Sequence, residues 1–379
     1  MRRRYIEARP DWRTRVEDQG LLFHSVDKGE SPPQPYWSEG VYYEFSVAEI
    51  DAIETATAEV HGMCLDAVES VIDGRRYAEI GVPDLAIPWI ERSWTEDPPS
   101  IYGRMDFAFG PDGVPKLLEY NADTPTSLLE GAVIQWTWLT ERFPQLDQWN
   151  AVHELLIARW REITPRLDGD LVHFGCIENI EDEMTIGYLR DTASQAGLRS
   201  VGISMDDIGW DEGLGTFVDL EGQAIRNLFK LYPWEGLLED DFGSLIARVP
   251  SLCWVEPAWK MVLSTKGILP ILWELFPGHP NLLEASREPL AVGWVRKPLH
   301  GREGSNVTIA APGVSTDTGG PYDGDGFVYQ AYADLGEHDG MRPVIGSWLI
   351  GDRPAGLGIR ETPGYVTDNT ACFVPHVIV

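Results

Sequence analysis

The stretch that decides the fold runs from residue 104 to residue 121 and reads RMDFAFGPDGVPKLLEYN. Two segments of alternating character flank a Gly-Pro-Asp-Gly turn at residues 110–113, a pattern that predicts a β-hairpin. Successive side chains of a strand point to opposite faces, and a four-residue connection pairs Phe109 with Val114. This pairing places four polar side chains on one face: Arg104, Asp106, Glu119 and Asn121.

The four polar residues form a candidate cation site with an arginine beside it. In the predicted register Glu119 lies opposite Arg104 and diagonal to Asp106. Carboxylate and carboxamide oxygens suit Mg²⁺, which completes its shell with water and substrate phosphates. Arg104 would meet phosphate oxygens in such a site. A solvated hairpin face carrying a salt bridge explains the same residues, so both interpretations stay open at this point.

Composition describes a folded protein of two or three lobes. The 379 residues are 43% hydrophobic and include 15 Trp, 13 Tyr and 12 Phe, enough for a large core. The formal net charge of −30 opposes binding to nucleic acid or to anionic membranes, which require clustered Lys and Arg. It would favour a cationic substrate such as a polyamine, although an acidic surface kept for solubility explains the charge as well.

Neither a membrane span nor a disulfide framework is visible in the sequence. No apolar run approaches the roughly 20 residues that a spanning helix needs, and no apolar stretch follows the basic start at residues 1–7. The cysteines lack any CxxC pair, which is typical of reduced thiols: Cys64, Cys176, Cys253 and Cys372. We therefore expect a cytoplasmic protein that acts on small molecules, with a homodimer left open.

The pattern of elements divides the chain into four regions. Residues 1–45 are irregular, with a turn-rich segment at 31–35, and residues 46–165 hold the hairpin and a long helix. A capping box of Ser46 and Glu49 starts that helix, and Gly74 ends it. Residues 166–255 predict an α/β lobe, and residues 256–379 form a strand-rich region.

Two further groups are candidates for substrate binding. Thr124 and Thr126 precede a predicted helix and would favour an anion such as a carboxylate, with ordinary N-capping as the alternative. In the α/β lobe, strand 171–177, helix 183–195 and strand 198–205 predict a βαβ unit. An acidic cluster follows the first of these strands, where α/β sheets bind ligands, although it also complements a helix start: Glu181, Asp182 and Glu183.

A glycine-containing loop in the last third is a candidate phosphate flap. Lys297 lies in a short predicted strand, residues 294–298, and the loop follows at residues 301–306. Glycines allow backbone N–H groups to approach phosphate oxygens closely, and the lysine would neutralise their charge. The loop matches neither the P-loop nor the Rossmann motif, and a plain hairpin turn remains the alternative. The predicted strand 327–332 could hydrogen-bond an adenine edge.

In chain order these motifs resemble the synthetase part of the glutathionylspermidine synthase family, a group of ATP-grasp ligases. The similarity extends from about residue 35 to the C-terminus. It rests on residues 104–106, 118–127, 259–260, 269–274, 296–298, 301–306 and 356–360.

The resemblance implies an α/β ATP-grasp fold with a βαβ-containing preATP-grasp-like lobe and a strand-rich nucleotide-binding lobe. Two Mg²⁺ ions would be bound by Asp106, Glu119 and Asn121, and Arg104 and Arg360 would flank the transferred phosphoryl group as catalytic residues. ATP would be held by Lys260, Lys297, Gly301, Arg302, Glu303, Gly304, Ser305, Asn306, Gln330, Ala331 and Tyr332. A peptide-like acid and an amine or polyamine would meet Thr124, Thr126, Glu181, Asp182 and Glu183.

The implied reaction is ATP- and Mg²⁺-dependent joining of a carboxylate to an amine through an acyl phosphate. A phosphotransferase with the same ATP site, or a catalytically silent nucleotide-binding module, are the alternatives. Bifunctional members of the family carry an amidase domain before the synthetase part. We expect this chain, which has no matching segment, to ligate without hydrolysing.

Overall fold

A computed structural model describes residues 1–26, 34–322, 324 and 326–379. Of the turn-rich segment predicted at residues 31–35, residues 31–33 lie outside the described residues, and residues 34–35 form a short strand. Three larger sheets, with helices packed on and between them, organise the chain.

The central sheet is antiparallel and carries the hairpin at one edge. Its strands, in spatial order, are Cys372–Val374, Arg353–Thr362, Arg342–Ile350, Tyr102–Phe109 and Pro115–Asn121. The long helix Val47–Gly74 packs against this sheet, and its Ser46–Glu49 capping box is confirmed. The apolar stripe of the helix is buried, as the 3.6-residue period requires: Ile50, Ile53, Val60, Cys64, Ala67, Val68 and Val71.

The predicted register of the hairpin is wrong, but the predicted face is right. Phe109 pairs with Pro115, not Val114, so the loop has one residue more than expected. Such a shift would turn the returning side chains to the other face. A β-bulge at Leu118, between the pairs Phe107–Leu117 and Asp106–Glu119, turns them back. Glu119 therefore lies opposite Asp106, and Asn121 lies opposite Arg104.

A parallel sheet forms the second layer. Its strands, in spatial order, are Cys253–Val255, Asn227–Leu231, Leu171–Cys176 and Arg199–Ser204. The predicted βαβ unit is confirmed, with helix Ile180–Gln195 as its crossover. This helix begins three residues earlier than expected because the Asn179 side chain accepts the backbone N–H of Asp182 at 2.9 Å. The acidic cluster is therefore the first helical turn.

The third sheet is antiparallel and carries the glycine loop. Its strands, in spatial order, are Ala285–Ser286, Phe327–Ala331, Trp294–Pro298, Thr308–Ala311 and Val314–Asp317. The loop at residues 301–306 joins the third and fourth of these strands, as the sequence predicts.

Shorter elements complete the described part of the chain. A three-stranded sheet joins Arg2–Tyr5, Val41–Phe45 and His376–Ile378, and two-stranded ribbons pair Ser25–Val26 with Gln34–Pro35 and Gly209–Asp211 with Thr216–Val218. The other α-helices are Trp12–Asp18, Ile87–Glu96, Gln135–Arg142, Val152–Ile163, Trp234–Glu239, Met261–Ser264 and Ile268–Leu275, and a π-helical turn spans Glu130–Ile134. In the described ranges, no helix is long and apolar enough to cross a membrane.

Candidate active site

A cavity of about 470 Å³ lies where the three large sheets meet. The central sheet contributes the hairpin residues, the parallel sheet contributes the carboxyl ends of its strands, and the third sheet contributes the glycine loop and its neighbours. The carboxyl ends of parallel strands are where α/β sheets bind ligands. Most of the residues selected from the sequence line this cavity: Arg104, Asp106, Glu119, Asn121, Thr124, Thr126, Glu181, Asp182, Lys297, Gly301, Arg302, Glu303, Gly304, Ser305, Gln330, Ala331, Tyr332 and Arg360.

Asp106 is the hub of the polar wall. Arg104 donates to both of its carboxylate oxygens, Nε to Oδ1 at 2.7 Å and Nη2 to Oδ2 at 3.1 Å. Arg360, from the far side of the central sheet's middle strand, donates Nη2 to Oδ2 at 2.9 Å. Asp106 is 3% exposed, so its charge depends on these guanidinium groups rather than on water. A carboxylate bridging two arginines holds both cations at the cavity wall.

Glu119 and Asn121 extend this wall with a further carboxylate and a carboxamide. The carboxamide nitrogen of Asn121 donates to Asp106 Oδ2 at 3.4 Å and to Glu119 Oε1 at 3.2 Å, so the three groups converge. The amide oxygen and nitrogen are assigned by hydrogen bonding, and turning the amide over presents its oxygen to the same point. No cluster of three or more His, Cys, Asp or Glu able to hold a metal occurs in the part of the chain that the structure describes. Two carboxylates and one carboxamide nevertheless fit Mg²⁺, whose remaining ligands are water and phosphate.

Two lysines face this oxygen cluster. Lys266 Nζ lies 3.0 Å from Glu119 Oε2 and donates to the backbone oxygen of Gly301 at 2.6 Å. Lys297 Nζ donates to the bulged Leu118 carbonyl at 2.8 Å and to Gln330 Oε1 at 2.7 Å. Burial lowers the pKa of Lys297 to about 8. The neighbouring charge of Lys266 lowers this pKa further, and the charge of Glu119 acts in the opposite direction. Burial disfavours the charge of Glu119, but the two ammonium groups outweigh it and lower the pKa of Glu119.

The structure does not bring Lys260 to the cavity. Its side chain is buried, with Nζ 2.5 Å from Glu256 Oε2 and 2.8 Å from the Tyr102 carbonyl. Glu256 also accepts the backbone N–H of Tyr102 at 3.0 Å, so this ion pair anchors the strand that carries Arg104. Lys266, which sequence reasoning left without a role, lines the cavity instead. It lies in the break between helices Met261–Ser264 and Ile268–Leu275, and no local pattern distinguishes it from Lys260.

The glycine loop closes one side of the cavity. Arg302 donates Nη2 to Glu235 Oε1 at 2.7 Å and Nη1 to Thr124 Oγ1 at 3.0 Å, linking the loop to the opposite lobe. Gly304 has φ 68° and a Cβ there would lie 2.6 Å from Val366, so only glycine fits without movement. Asn306 does not line the cavity: it is buried, and its Oδ1 accepts the backbone N–H of Tyr322 at 2.8 Å. Its contribution is to hold the loop.

The two ends of the cavity differ in character. Beside Gln330, Ala331 and Tyr332 the lining is apolar and includes Val295, Ile309, Leu335 and Val344. The opposite end is acidic, with Glu181, Asp182 and Glu303. Burial, reinforced by Glu181, raises the pKa of Asp182 to about 6. Glu183 does not belong to this end, because the early helix start leaves its side chain exposed and outside the cavity.

Known proteins resemble this chain over nearly its whole length. The family model described as glutathionylspermidine synthase preATP-grasp matches residues 3–379. A Haemophilus influenzae protein named "Putative acid--amine ligase" is 39% identical over 390 residues, which cover 98% of each chain. Trypanothione synthetase of Crithidia fasciculata is 32% identical over 82% of this chain and 52% of its own length. The bifunctional glutathionylspermidine synthetase/amidase of Escherichia coli is 26% identical over 89% and 59%, respectively.

A solved structure shares the architecture. The glutathione synthetase-like effector of Globodera pallida superimposes with a TM-score of 0.59, covering 99% of this chain and 100% of its own, at 10% identity. Together with the family match, this confirms the expected α/β ATP-grasp fold. Fold and relatives define the class of protein as an enzyme, an ATP-dependent ligase that forms C–N bonds. The chain belongs to the glutathionylspermidine synthase family, as the sequence motifs indicated.

The different positions of the two lysines predict opposite phenotypes. Lys260→Met leaves Glu256 buried without its cation, so we expect the free energy of unfolding to fall by about 3–5 kcal/mol in urea denaturation. Lys266→Met removes a partly solvated cation from the cavity and should leave the unfolding free energy within about 1 kcal/mol of the wild type. Its ATP affinity, measured by calorimetry, should fall about tenfold or more. These positions would be contradicted if Lys260→Met were as stable as the wild type but failed to bind ATP, while Lys266→Met bound ATP with wild-type affinity.

Proposed function

We propose that the protein is an ATP- and Mg²⁺-dependent carboxylate–amine ligase that forms an amide through an acyl phosphate. One observation carries this proposal. Four cationic side chains converge with two carboxylates and a carboxamide on one cavity wall, between an apolar end and an acidic end. The apolar end would bind the nucleotide base, the charged centre would bind the phosphates, and the acidic end would bind the amine. This order along the cavity suits the reaction.

Charge at the centre of the cavity favours phosphate. Among the described residues of this wall, Arg104, Arg360, Lys266 and Lys297 lie beside two carboxylates, Asp106 and Glu119. The wall therefore carries a local excess of two positive charges, in a chain whose formal net charge is −30. Phosphate oxygens would neutralise that excess, and Lys266 and Lys297 would contact them beneath the glycine loop. The adenine ring would rest between Val295, Ile309 and Val344, with backbone groups near Gln330 at its edge. Asp106, Glu119 and Asn121 would hold Mg²⁺, which when bound supplies further charge neutralisation to the phosphates.

The chemistry requires positioning and charge stabilisation rather than a protein nucleophile. A carboxylate oxygen of the acid attacks the γ-phosphorus of ATP, the bond to the bridging oxygen breaks, and ADP leaves. The amine nitrogen then attacks the acyl carbon, loses a proton, and phosphate departs. Arg104 and Arg360, fixed on Asp106, would donate to the phosphoryl oxygens in flight. Their fixed geometry avoids reorganisation during the reaction.

The walls suggest the class of substrates. Thr124 and Thr126 offer a hydroxyl-bearing surface for a peptide-like acid, and Glu181, Asp182 and Glu303 offer negative charge to an amine or polyamine. Relatives named for glutathionylspermidine and trypanothione synthesis agree with a peptide-like acid and a polyamine. We therefore propose an acid–amine pair of this kind, with glutathione and spermidine as the first candidates.

A product screen tests the proposal directly. The protein is incubated with Mg²⁺, ATP, a set of small peptides and a set of polyamines, and the products are identified by mass spectrometry. We expect ADP and an amide product whose mass equals acid plus amine minus water, formed only when both substrates are present. ATP hydrolysis that is indifferent to every acid and amine, or a stable phosphorylated acceptor, would reject the ligase.

Arg360→Ala should separate chemistry from nucleotide binding. The guanidinium contacts Asp106 and would donate to the phosphoryl group in flight, so its loss should reduce turnover by about 10²–10³-fold. ATP affinity should change far less, because Lys266, Lys297 and the glycine loop are untouched. The exposed Arg353, on the same strand, provides the control Arg353→Ala, which should leave both quantities unchanged. Equal losses in the two variants would contradict the assigned role.

The oxygen cluster predicts a metal-dependent affinity. Asp106→Asn combined with Glu119→Gln removes both carboxylates, so the difference in ATP affinity with and without Mg²⁺ should disappear. Calorimetry on the exposed hairpin-turn variant Asp112→Asn, which should keep this difference, supplies the control. A double variant that still binds ATP more tightly with Mg²⁺ would rule out this cation site.

A further inference from the structure

A buried carboxyl group lies behind the cavity wall, outside the residues that line it. Glu130 begins the π-helical turn Glu130–Ile134, and its side chain is 3% exposed. π-helical turns are rare and are often found at functional sites. The preceding Ser127 has φ 66°, a left-handed conformation that is uncommon for a residue other than glycine. Two backbone irregularities therefore flank one segment beside the cavity.

Glu130 belongs to a short chain of buried hydrogen bonds. The Tyr36 hydroxyl donates to Glu130 Oε1 at 2.7 Å and lies 2.9 Å from Ser127 Oγ. A phenol has one proton, so when Tyr36 donates to Glu130, the Ser127 hydroxyl must donate to Tyr36. All three side chains are buried. This direction of donation requires Glu130 to accept, as its carboxylate does.

The chain leads to an arginine of the charged wall. Ser127 directly follows Thr126, whose backbone oxygen accepts Arg104 Nη1 at 2.7 Å. On the other side, Tyr102 Oη donates to the Pro125 carbonyl at 3.0 Å. The segment that receives Arg104 is thus held at both ends, by Tyr102 and by the Tyr36–Ser127 pair. Movement of Ser127 would move the Thr126 carbonyl and with it the guanidinium.

The surroundings of Glu130 make its charge sensitive to pH near neutrality. Burial raises the pKa of Glu130 to about 7, the Tyr36 hydrogen bond and Arg104 oppose that rise, and Glu181 adds to it. Burial, with Glu130 and Glu181, also raises the pKa of Tyr36, which stays protonated and able to donate. Below about pH 7 a protonated Glu130 can donate to Tyr36 instead, which reverses the order of donation along the chain.

We propose that Glu130 is a positioning residue for phosphoryl transfer: through Tyr36 and Ser127 it fixes the Thr126 carbonyl that orients Arg104. The ionised form of Glu130 is the competent one, because a carboxylate can only accept and therefore always receives the Tyr36 proton. The inference rests on the proposed contact between Arg104 and the phosphoryl group. It adds a pH-dependent element, located outside the cavity, to that contact.

Aluminium fluoride with Mg·ADP, a mimic of the phosphoryl group in flight, provides a test without turnover. In the wild type at pH 8, aluminium fluoride should increase the affinity for ADP. This gain in affinity should decline as the pH falls through about 7. Glu130→Leu, which cannot accept, should lose about tenfold or more of this gain while ADP alone binds normally. Glu130→Gln mimics the protonated carboxyl, which can donate as well as accept, so at every pH it should show the reduced gain that the wild type shows below pH 7. Any remaining acid limb should reflect Asp182, at about pH 6.

Tyr36→Phe supplies a second check. It removes the hydroxyl through which Glu130 acts on Ser127, so the gain in ADP affinity should fall as in Glu130→Leu and should no longer decline near pH 7. Exposed Glu154→Gln is the matched control and should behave as the wild type. A full gain in Glu130→Leu, or an unchanged decline near pH 7 in Glu130→Gln, would overturn the proposal. Should Glu130→Leu fail to fold, the pH profiles of the other two variants decide.

The outcomes separate this proposal from the proposed function. Aluminium fluoride results as expected, together with no amide product from any acid and amine, would reject the ligase and leave the positioning role. Amide formation together with a pH-independent gain in the wild type would support the ligase and reject the positioning role of Glu130. A wild-type protein that binds no Mg·ADP would reject both.

Discussion

The site depends on the ion pairs of Asp106 with Arg104 and Arg360. A carboxylate that is 3% exposed loses its hydration, and only a partner of opposite charge makes that burial tolerable. Here the partners come from its own strand and from a strand that begins more than two hundred residues later in the chain. The same contacts that allow Asp106 to be charged also fix both arginines at the cavity wall. Folding of the central sheet and assembly of the charged wall are therefore one event.

Around this centre the three sheets divide the tasks. The central sheet supplies Arg104, Arg360 and the oxygen-bearing side chains, and the third sheet supplies Lys297 and the glycine loop with Glu303. The helix that follows a strand of the parallel sheet supplies Glu181 and Asp182. The buried pair of Lys230 and Asp123, with Nζ 2.6 Å from Oδ1, ties the parallel sheet to the segment after the hairpin. Arg302 closes the arrangement by bridging to Glu235. We therefore propose that the nucleotide, the acid and the amine meet at one point in the cavity, whose walls come from three different sheets.

Local pattern predicted the hairpin, the long helix, the βαβ unit and the polar face, because strand alternation and helix capping act over a few residues. It missed the strands and the helix within residues 1–45. It did not predict the register, since neither the extra residue in the hairpin loop nor the β-bulge at Leu118 has a signature in the sequence. Lys260 and Lys266 are equivalent by composition, and only tertiary packing buries the first against Glu256 and exposes the second to the cavity. The Tyr36–Glu130 contact joins residues 94 positions apart, so it too depends on tertiary packing and could not be predicted from local sequence. Family motifs supplied what local physics could not, namely which distant motifs act together.

The central claim is that the charged wall activates a carboxylate by phosphorylation, and isotope transfer tests it most directly. An acid labelled with ¹⁸O in its carboxylate is incubated with Mg²⁺, ATP and the amine partner, and the released phosphate is examined by mass spectrometry. Passage through an acyl phosphate predicts one labelled oxygen in the phosphate for each amide formed. Amide formed with unlabelled phosphate would contradict the account.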